Sequence, residues 1–364
     1  MRVAVVGLGA VGVRAARHLL AAGAAGRDPA GRDPGGHDPD RAGLDWGEER
    51  PSSVEVTLVH RSLARLTFVQ QDLGLPVRVV CGGPDDLPDD LDVVVLTVPR
   101  DVRAGAEAAL LRGAHAVATC DDPSEVRALL ALDSEARERG LSVVAGAAFA
   151  PGVSCVLARW AAGRLDRVTE IHVASMGTGG PACARRHHRA LSSPAIDYHD
   201  GAWVRRPGGS GRELVWFPEP VGGADCYRAG VCDPVLLVPA FPGVRKVTAR
   251  LEATRRDRLT SWMPMLRPPH PEGLLGAVRV EVRGFAAGEA GTVAVGASVP
   301  PALGAGAAAA TTALWAGRGR LAGPGAGGLA EMVDRPAEWL RDIGRRGIRT
   351  CVFEGADALA PLPA

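Results

Sequence analysis

The sequence predicts an α/β fold: a doubly wound parallel sheet, then an α+β domain for substrate binding and dimerisation, then C-terminal helices packing back on the first domain. Up to residue 145, short apolar strands alternate with helices, as in sheets built from βαβ units. The first strand leads directly into a glycine-rich turn. Beyond residue 151 the strands follow one another like antiparallel pairs. The predicted units are residues 1–150, 151–301 and 302–364.

The first unit contains short runs rich in valine, bounded by turn residues. The run at residues 92–98 (DVVVLTV) is almost wholly apolar, which is typical of a central parallel strand buried on both faces. Asp122 stands where it can cap a following helix. The predicted strands are residues 3–6, 54–59, 77–80, 92–98, 114–119 and 141–145, and the predicted helices are residues 11–22, 101–112 and 123–139.

One segment interrupts this alternation. Residues 26–50 begin with a tandem repeat, GRDPA, GRDPG and GHDPD. Proline at every fifth position excludes a continuous helix or strand ladder, and the segment has little apolar surface to bury. We therefore expect a disordered surface insertion here.

The rest of the chain mixes helices with strands of alternating pattern. The predicted strands are residues 168–174, 244–252, 278–284 and 291–299, of which the last two look like a hairpin joined by FAAGEA. The predicted helices are residues 153–162, 303–316 and 336–344.

Composition narrows the function classes. The 42 basic and 41 acidic side chains leave a formal net charge of +1, which argues against a general nucleic-acid binder. Lys246 is the only lysine, so dehydrogenase mechanisms that need a lysine near the glycine-rich half are eliminated. The seven cysteines occur singly, as expected for reduced thiols in the cytoplasm. We find no convincing membrane span and predict a cytoplasmic protein that binds neither membrane nor nucleic acid.

The glycine-rich turn has the G-x-G-x-x-G pattern of a dinucleotide-binding Rossmann domain, between a strand and a helix as that pattern requires. Its first glycine permits the tight turn, its second lets a pyrophosphate approach, and its third allows close packing of helix on strand. The helix N-terminus then attracts the phosphates. The predicted cofactor-binding residues here are Gly7, Leu8, Gly9, Ala10, Val11 and Gly12.

The end of the second strand indicates which dinucleotide binds. A site that prefers NAD normally has an acidic residue there, but this chain has Arg61 and Ser62. Both can bind a 2′-phosphate, so we predict NADP, with NAD the less favoured cofactor. The alternative is that Arg61 is a solvated surface residue and the specificity residue lies elsewhere.

The ends of the fourth and fifth strands should face the same crevice. We expect Thr97, Val98 and Pro99 to approach the ribose next to the nicotinamide. Asp121 is a candidate catalytic residue, although capping of the following helix explains it equally well. Together these residues extend the predicted cofactor site towards a reaction centre.

A basic cluster follows a glycine turn in the second unit. Arg185 and Arg186 suit a substrate carboxylate, although a solvated basic face is an equally good interpretation. His187 is a candidate proton donor. Cys183 lies four residues before it, and Cys226 and Cys232 follow, but no closed four-ligand motif appears. We therefore predict no metal site.

Several segments resemble the saccharopine dehydrogenase-like family. They are VAVVGLGAVG, AAFAPGVS at residues 147–154, FPEPVGGADCYRAG, PAFPGVRKVTARL, VRVEVRG and GPGAGGLAEMVDRPAEWLRDIGRRGI. The resemblance implies a Rossmann domain and NADP(H)-dependent hydride transfer to or from an imine, amine or carbonyl group of a small carboxylate-bearing substrate. It also implies that Pro151 and Gly152 bind the substrate.

The chain departs from the family pattern at two places. Ala150 stands where an aspartate is common, and Val231, Cys232 and Asp233 replace a segment that often contains histidine. The alternative function is therefore a catalytically inactive nucleotide-binding sensor or assembly protein. In either case we expect a homodimer, because exposed strands in such second domains often pair between subunits.

Overall fold

The computed structural model describes residues 1–24, 53–75, 77–354 and 358–361, and the predicted insertion at residues 26–50 lies outside them. Its strands are β1 (Arg2–Val6), β2 (Glu55–His60), β3 (Arg78–Cys81), β4 (Val93–Leu96), β5 (His115–Ala118), β6 (Ser142–Ala145), β7 (Arg167–Met176), β8 (Ala195–His199), β9 (Ala202–Arg206), β10 (Glu213–Phe217), β11 (Gly222–Arg228), β12 (Lys246–Glu252), β13 (Gly276–Ala286), β14 (Glu289–Val299), β15 (Gly325–Gly328), β16 (Thr350–Glu354) and β17 (Ala358–Pro361). 

The helices alternate with these strands in the first part of the chain and gather around the second sheet later. They are α1 (Ala10–Ala24), α2 (Leu63–Leu73), α3 (Val102–Leu111), α4 (Pro123–Leu130), α5 (Asp133–Glu138), α6 (Val153–Ala162), α7 (Pro181–Ala190), α8 (Asp233–Ala240), α9 (Arg255–Thr260), α10 (Pro301–Gly317), α11 (Leu329–Met332) and α12 (Pro336–Gly344), with a single 3-10 turn at Pro84–Asp86. None of the described helices is both long and apolar enough to cross a lipid bilayer.

The first sheet is parallel throughout, in the order β15-β6-β5-β4-β1-β2-β3. Its central strands have almost wholly apolar sequences because both faces are covered, and all four residues of β4 are buried. The chain leaves the adjacent strands β1 and β4 towards opposite sides of the sheet. Their carboxyl ends therefore flank a crevice, which is where ligands bind in doubly wound sheets. The predicted doubly wound sheet is confirmed.

The C-terminal part of the chain returns to this sheet. The alanine-rich helix α10 is almost entirely buried and packs on α1, β4 and β5, as predicted for a helix that covers the first domain. Strand β15 then adds a seventh strand beside β6, which the sequence analysis did not predict. Its sequence is GAGG, and glycine-rich segments disfavour strands unless tertiary pairing imposes one.

The second sheet has ten strands, mostly antiparallel, in the order β10-β11-β12-β7-β13-β14-β16-β17, with the hairpin β8–β9 attached to β12. The predicted strands correspond to β7, β12, β13 and β14. The shorter strands β8 to β11 and the two strands after residue 350 were not predicted, because glycine, proline and charged residues interrupt their apolar patterns. The second domain therefore contains more strands than its sequence predicts.

Helix α7 was not predicted as a helix. The loop Gly177–Gly180 leads from the end of β7 into Pro181, which suits the first turn of a helix. Basic residues dominate the segment, so it lacks a clear apolar stripe. The helix nevertheless sets residues four apart on one face, and this determines the geometry described next. The predicted helix over residues 123–139 is two helices, α4 and α5.

Candidate functional site

A cavity of about 1060 Å³ lies between the carboxyl ends of the parallel strands and helix α7. Its wall begins at the glycine-rich turn and continues over the ends of β2, β4 and β5. Residues 148–150 and the loop before α7 close the other side. The cavity therefore joins the first sheet to the second, and most of the predicted site residues lie on it.

The glycine-rich turn has the geometry that its motif predicts. Gly7 has a φ of 93°, which favours glycine, and a β-carbon on Gly12 would collide with the Gly7 carbonyl. No atom lies within 4 Å of the place where Gly9 would carry a β-carbon, so this side of the turn is open. Five predicted residues line the cavity, namely Gly7, Leu8, Gly9, Ala10 and Val11, while Gly12 packs behind them.

The end of β4 stabilises that turn. The Thr97 hydroxyl donates hydrogen bonds to the carbonyls of Gly7 at 2.6 Å and Val6 at 3.1 Å. Thr97, Val98 and Pro99 all line the cavity, as predicted. Thr97 therefore contributes to the site mainly by fixing the backbone of the glycine-rich turn.

The end of β2 places only one of its two predicted residues on the cavity. Arg61 is exposed and lines it, whereas Ser62 is not among the lining residues. The Ser62 hydroxyl instead caps helix α2 by accepting a hydrogen bond from the Arg65 backbone N–H at 3.3 Å. The structure therefore gives the Ser62 hydroxyl a role at the helix terminus, and Ser62 as a phosphate ligand stays a prediction.

Arg65, which the sequence analysis did not name, supports the glycine-rich turn without lining the cavity. Its Nε donates a 2.8 Å hydrogen bond to the carbonyl of Leu8, which ties α2 to the glycine-rich turn. The one sequence signal for this contact was Ser62, a residue type that often caps helices. A helix that begins after Ser62 places Arg65 in its first turn.

At the far end of the cavity the structure brings Asp121 and His187 together. Asp121 follows β5, and its Oδ2 lies 3.1 Å from Nε2 of His187 on α7. The Sγ of Cys183, one turn earlier on α7, lies 3.6 Å from the same Nε2 and 3.8 Å from the same Oδ2. Nδ1 of His187 is buried and has no hydrogen-bond partner among the described residues. Both predicted catalytic residues thus belong to one cluster, and Cys183 completes it.

The charges in this cluster support each other. Burial alone would lower the pKa of His187, but Cys183 and the Asp121 carboxylate outweigh it and raise this pKa to about 10. Burial likewise opposes ionisation of Asp121, yet the hydrogen bond and charge of His187 hold its pKa below the ordinary value. The cluster therefore favours a positive charge on the His187 imidazole, next to the Cys183 sulfur and the Asp121 carboxylate.

The two predicted carboxylate-binding arginines have different surroundings. Arg186 Nη2 donates hydrogen bonds to the carbonyls of Asp121 at 3.0 Å and Gly230 at 2.6 Å, and its Nε lies 2.9 Å from Asp122 Oδ2. Arg185 is exposed on the cavity wall, and no ion pair involves it among the described residues. Arg186 therefore positions α7 against β5, which leaves Arg185 as the available anchor.

Pro151 and Gly152 do not line the cavity, contrary to the expectation from the family resemblance. Both are buried in the turn before α6. Gly152 has a φ of 125°, and a β-carbon there would collide with the backbone of Ala148. These residues shape the exit from the parallel sheet, and neighbouring Phe149 and Ala150 face the cavity instead.

The residues of the glycine-rich end fit a nicotinamide dinucleotide. The open side of Gly9 leaves room for a pyrophosphate, and the N-terminus of α1 points positive partial charge towards it. Arg61 adds a full positive charge at the end of β2. The fold and this crevice together define an α/β protein of the Rossmann type with an α+β second domain.

Comparison with solved structures places this fold among known proteins. Saccharopine dehydrogenase (L-glutamate-forming) of Saccharomyces cerevisiae is similar with a TM-score of 0.64 and 13% identity, over 97% of this chain and 100% of that one. Homospermidine synthase of Legionella pneumophila, solved with NAD, is similar with a TM-score of 0.59 and 14% identity, over 100% and 95%. No family model and no curated protein sequence matches the chain. The sequence resemblance is thus confirmed at the level of the fold.

Proposed function

We propose that this protein is an NADP(H)-dependent oxidoreductase acting on an imine, amine or carbonyl group of a small carboxylate-bearing substrate. The observation that carries the proposal is the continuity of one cavity from the glycine-rich turn to the cluster of Asp121, Cys183 and His187. One end suits a dinucleotide and the other offers groups that hold or move a proton. The cavity is large enough for a cofactor and a small substrate together.

The cofactor would lie across the ends of β1 and β4. Gly7, Gly9 and the N-terminus of α1 would hold its pyrophosphate, and Arg61 would pair with a 2′-phosphate. When bound, the nicotinamide supplies hydride-transfer chemistry. Val98 and Pro99 would give it an apolar wall that excludes water.

The chain's own side chains would do the remaining work. Asp121 and His187 lie within hydrogen-bond distance of each other and are the proposed proton donor to the reacting nitrogen or oxygen. Arg185 would pair with the substrate carboxylate, and Arg186 would hold α7 in place. The two similar solved proteins are named for reactions of amines or amino acids, which supports C–N chemistry here.

Titration of the purified protein with NADPH and NADH, followed by nicotinamide fluorescence, tests the cofactor proposal. We expect saturable binding, with NADPH bound more tightly. Absence of binding to either nucleotide at millimolar concentration would overturn it. A panel of keto acids with ammonia and of amines then separates an enzyme from a sensor or assembly protein, which binds the cofactor without turnover.

Assembly and location remain proposals. We propose a homodimer, supported by Leu214 and Trp216, which are exposed side by side on the edge strand β10. Light scattering at several protein concentrations measures the mass, and a monomer at all of them contradicts this. The proposed cytoplasmic location is supported by the seven cysteines, all of which lie in the described ranges and are free thiols.

A further inference from the structure

Three donor atoms, one from the end of β5 and two from helix α7, converge on one point in the cavity wall. They are Asp121 Oδ2, Cys183 Sγ and His187 Nε2, and each has a lone pair when the thiol is deprotonated and the imidazole neutral. We infer that these three side chains bind a divalent transition-metal ion, and that the donor set selects Zn²⁺. The sequence analysis considered a zinc site that included Cys226 and Cys232 and predicted none. The site inferred here is a different one, because neither of those cysteines contributes to it.

The separations fit a metal centre. A tetrahedral Zn²⁺ ion about 2.3 Å from sulfur and about 2.0–2.1 Å from nitrogen and oxygen holds such donors roughly 3.3–3.6 Å apart. The observed separations are 3.6 Å for sulfur to nitrogen, 3.1 Å for nitrogen to oxygen and 3.8 Å for sulfur to oxygen. Small side-chain movements would bring all three into coordination distance.

Hydrogen bonds alone explain the arrangement of these three donor atoms less completely than a bound ion does. Nε2 of His187 carries at most one hydrogen, yet it faces both the sulfur and the carboxylate. The thiol is a weak donor, and both of its contacts are long. An ion at the centre would satisfy all three atoms at once.

The chemistry and charge of the donors also favour zinc. A thiolate and an imidazole are ligands that Zn²⁺ prefers, and a carboxylate completes mixed sets of this kind. The thiolate and carboxylate neutralise the two charges of the ion, so the half-buried centre carries no net charge. The nearby guanidinium of Arg186 is already paired with Asp122 at 2.9 Å, which limits its repulsion of a cation.

The elements around the cluster hold the ligands in place. Cys183 and His187 are four residues apart on α7, so they share one face of the helix. Asp121 comes from the end of β5, and Arg186 fixes its backbone by a hydrogen bond to its carbonyl. The ion would therefore link the parallel sheet to the second domain.

Three protein ligands leave one tetrahedral position vacant, and the three side chains all line the cavity. Three ligands plus an open position are typical of catalytic rather than structural zinc sites. The open position would take an oxygen or nitrogen donor of the substrate beside the reacting carbon, a step that rests on the proposed function. Metal binding displaces the hydrogen between His187 and Asp121, so in the metal-bound form water in the cavity, and not His187, would supply the proton that the proposed reaction takes up.

Metal content and cobalt substitution of the full-length protein test the site. We expect about one equivalent of zinc per chain after purification without chelator. Replacement by Co²⁺ should give the intense visible bands of a four-coordinate site and a sulfur-to-cobalt charge-transfer band. Added imidazole should shift the visible bands, because the fourth position is open. A cobalt spectrum without the sulfur band would overturn the inference.

Matched variants separate this inference from the proposed function. Cys183→Ser and Asp121→Asn should each weaken zinc binding by more than roughly 100-fold, while Cys351→Ser, at a half-buried thiol on β16, should leave it unchanged. Equal weakening in all three variants would contradict the site. NADPH binding reports folding in each variant. If zinc binds but neither nucleotide does, only the proposed function fails.

Discussion

The two ends of the cavity are built in opposite ways. The glycine-rich end consists of consecutive residues of one turn, and its important property is the side chain missing at Gly9. The α7 end consists of side chains, and its two main partners, Asp121 and His187, are 66 residues apart in the chain. The glycine-rich end is therefore specified by a short segment of sequence. The α7 end forms only after the two sheets have packed together.

This contrast implies different responses to mutation. The backbone end should not tolerate an added negative charge, and the side chains that it needs are Arg61 and those that fix the turn, Thr97 and Arg65. The side-chain end should depend on a few buried polar contacts, each contributed by a distant element. The following four changes test these expectations in decreasing order of effect.

Gly9→Asp should have the largest effect on the backbone end. The new carboxylate would fill the open side of the turn and repel the pyrophosphate. Like charges about 4 Å apart repel by roughly 4 kcal/mol near a protein surface, so NADPH binding should weaken by roughly a thousandfold. Because the space is open, the fold should remain intact by circular dichroism. Gly9→Ala is the matched control and should bind NADPH far better. Equal binding by both variants would place the pyrophosphate elsewhere.

Two neighbouring arginines offer the next test, at the side-chain end. Arg186→Met removes hydrogen bonds to two carbonyls and the ion pair with Asp122, so the free energy of unfolding should fall by about 3 kcal/mol. Arg185→Met, at an exposed position, should change it by less than about 0.5 kcal/mol. Urea denaturation measures both. Similar losses would refute the positioning role of Arg186.

A buried carboxyl beside the α7 end gives a pH-dependent test. Burial raises the pKa of Asp233 to about 6, although a 2.9 Å hydrogen bond from Ser154 and the charge of His187 oppose this. The folded state therefore binds this proton more tightly than the unfolded state, and the carboxyl costs stability as pH rises from about 4 to above 6. Asp233→Asn removes that cost.

We expect Asp233→Asn to stabilise the protein by about 2 kcal/mol at pH 8 and by little at pH 4. Thermal or urea unfolding at both pH values measures the difference. Asp89→Asn is the control, because the Asp89 side chain is 98% exposed and should give no such pH dependence. A gain from Asp233→Asn that is equal at both pH values would exclude ionisation as its cause.

The smallest expected effect concerns cofactor choice. Arg61→Gln should weaken NADPH binding by roughly tenfold and leave NADH binding almost unchanged, because only NADPH has the 2′-phosphate. Ser62→Ala should leave both affinities unchanged but lower the free energy of unfolding by about 1 kcal/mol through loss of the helix cap. If Ser62→Ala selectively loses NADPH affinity, Ser62 binds the 2′-phosphate in addition to capping the helix.

The difference between the glycine-rich end and the α7 end also explains which parts of the fold and site could be predicted from the sequence. The strand-and-helix alternation and the glycine motif predict the parallel sheet and its binding edge, because these signals lie in short segments. Cys183 and His187 have suggestive helical spacing, but their helix lacks an apolar stripe and their third partner lies on another sheet. Pro151 and Gly152 were assigned by resemblance, which does not show whether a residue faces a cavity or a turn.

Strand β15 has a consequence for how the protein forms during synthesis. It completes the parallel sheet beside β6, and the Ser142 hydroxyl reaches a carbonyl 181 residues later in the chain. Helix α10, which covers α1, is also translated late. While the ribosome is still making the second domain, the nascent first sheet therefore has an open edge and an uncovered apolar face. The glycine-rich turn is synthesised before the second domain, yet the sheet that carries it is completed only after that domain has been made.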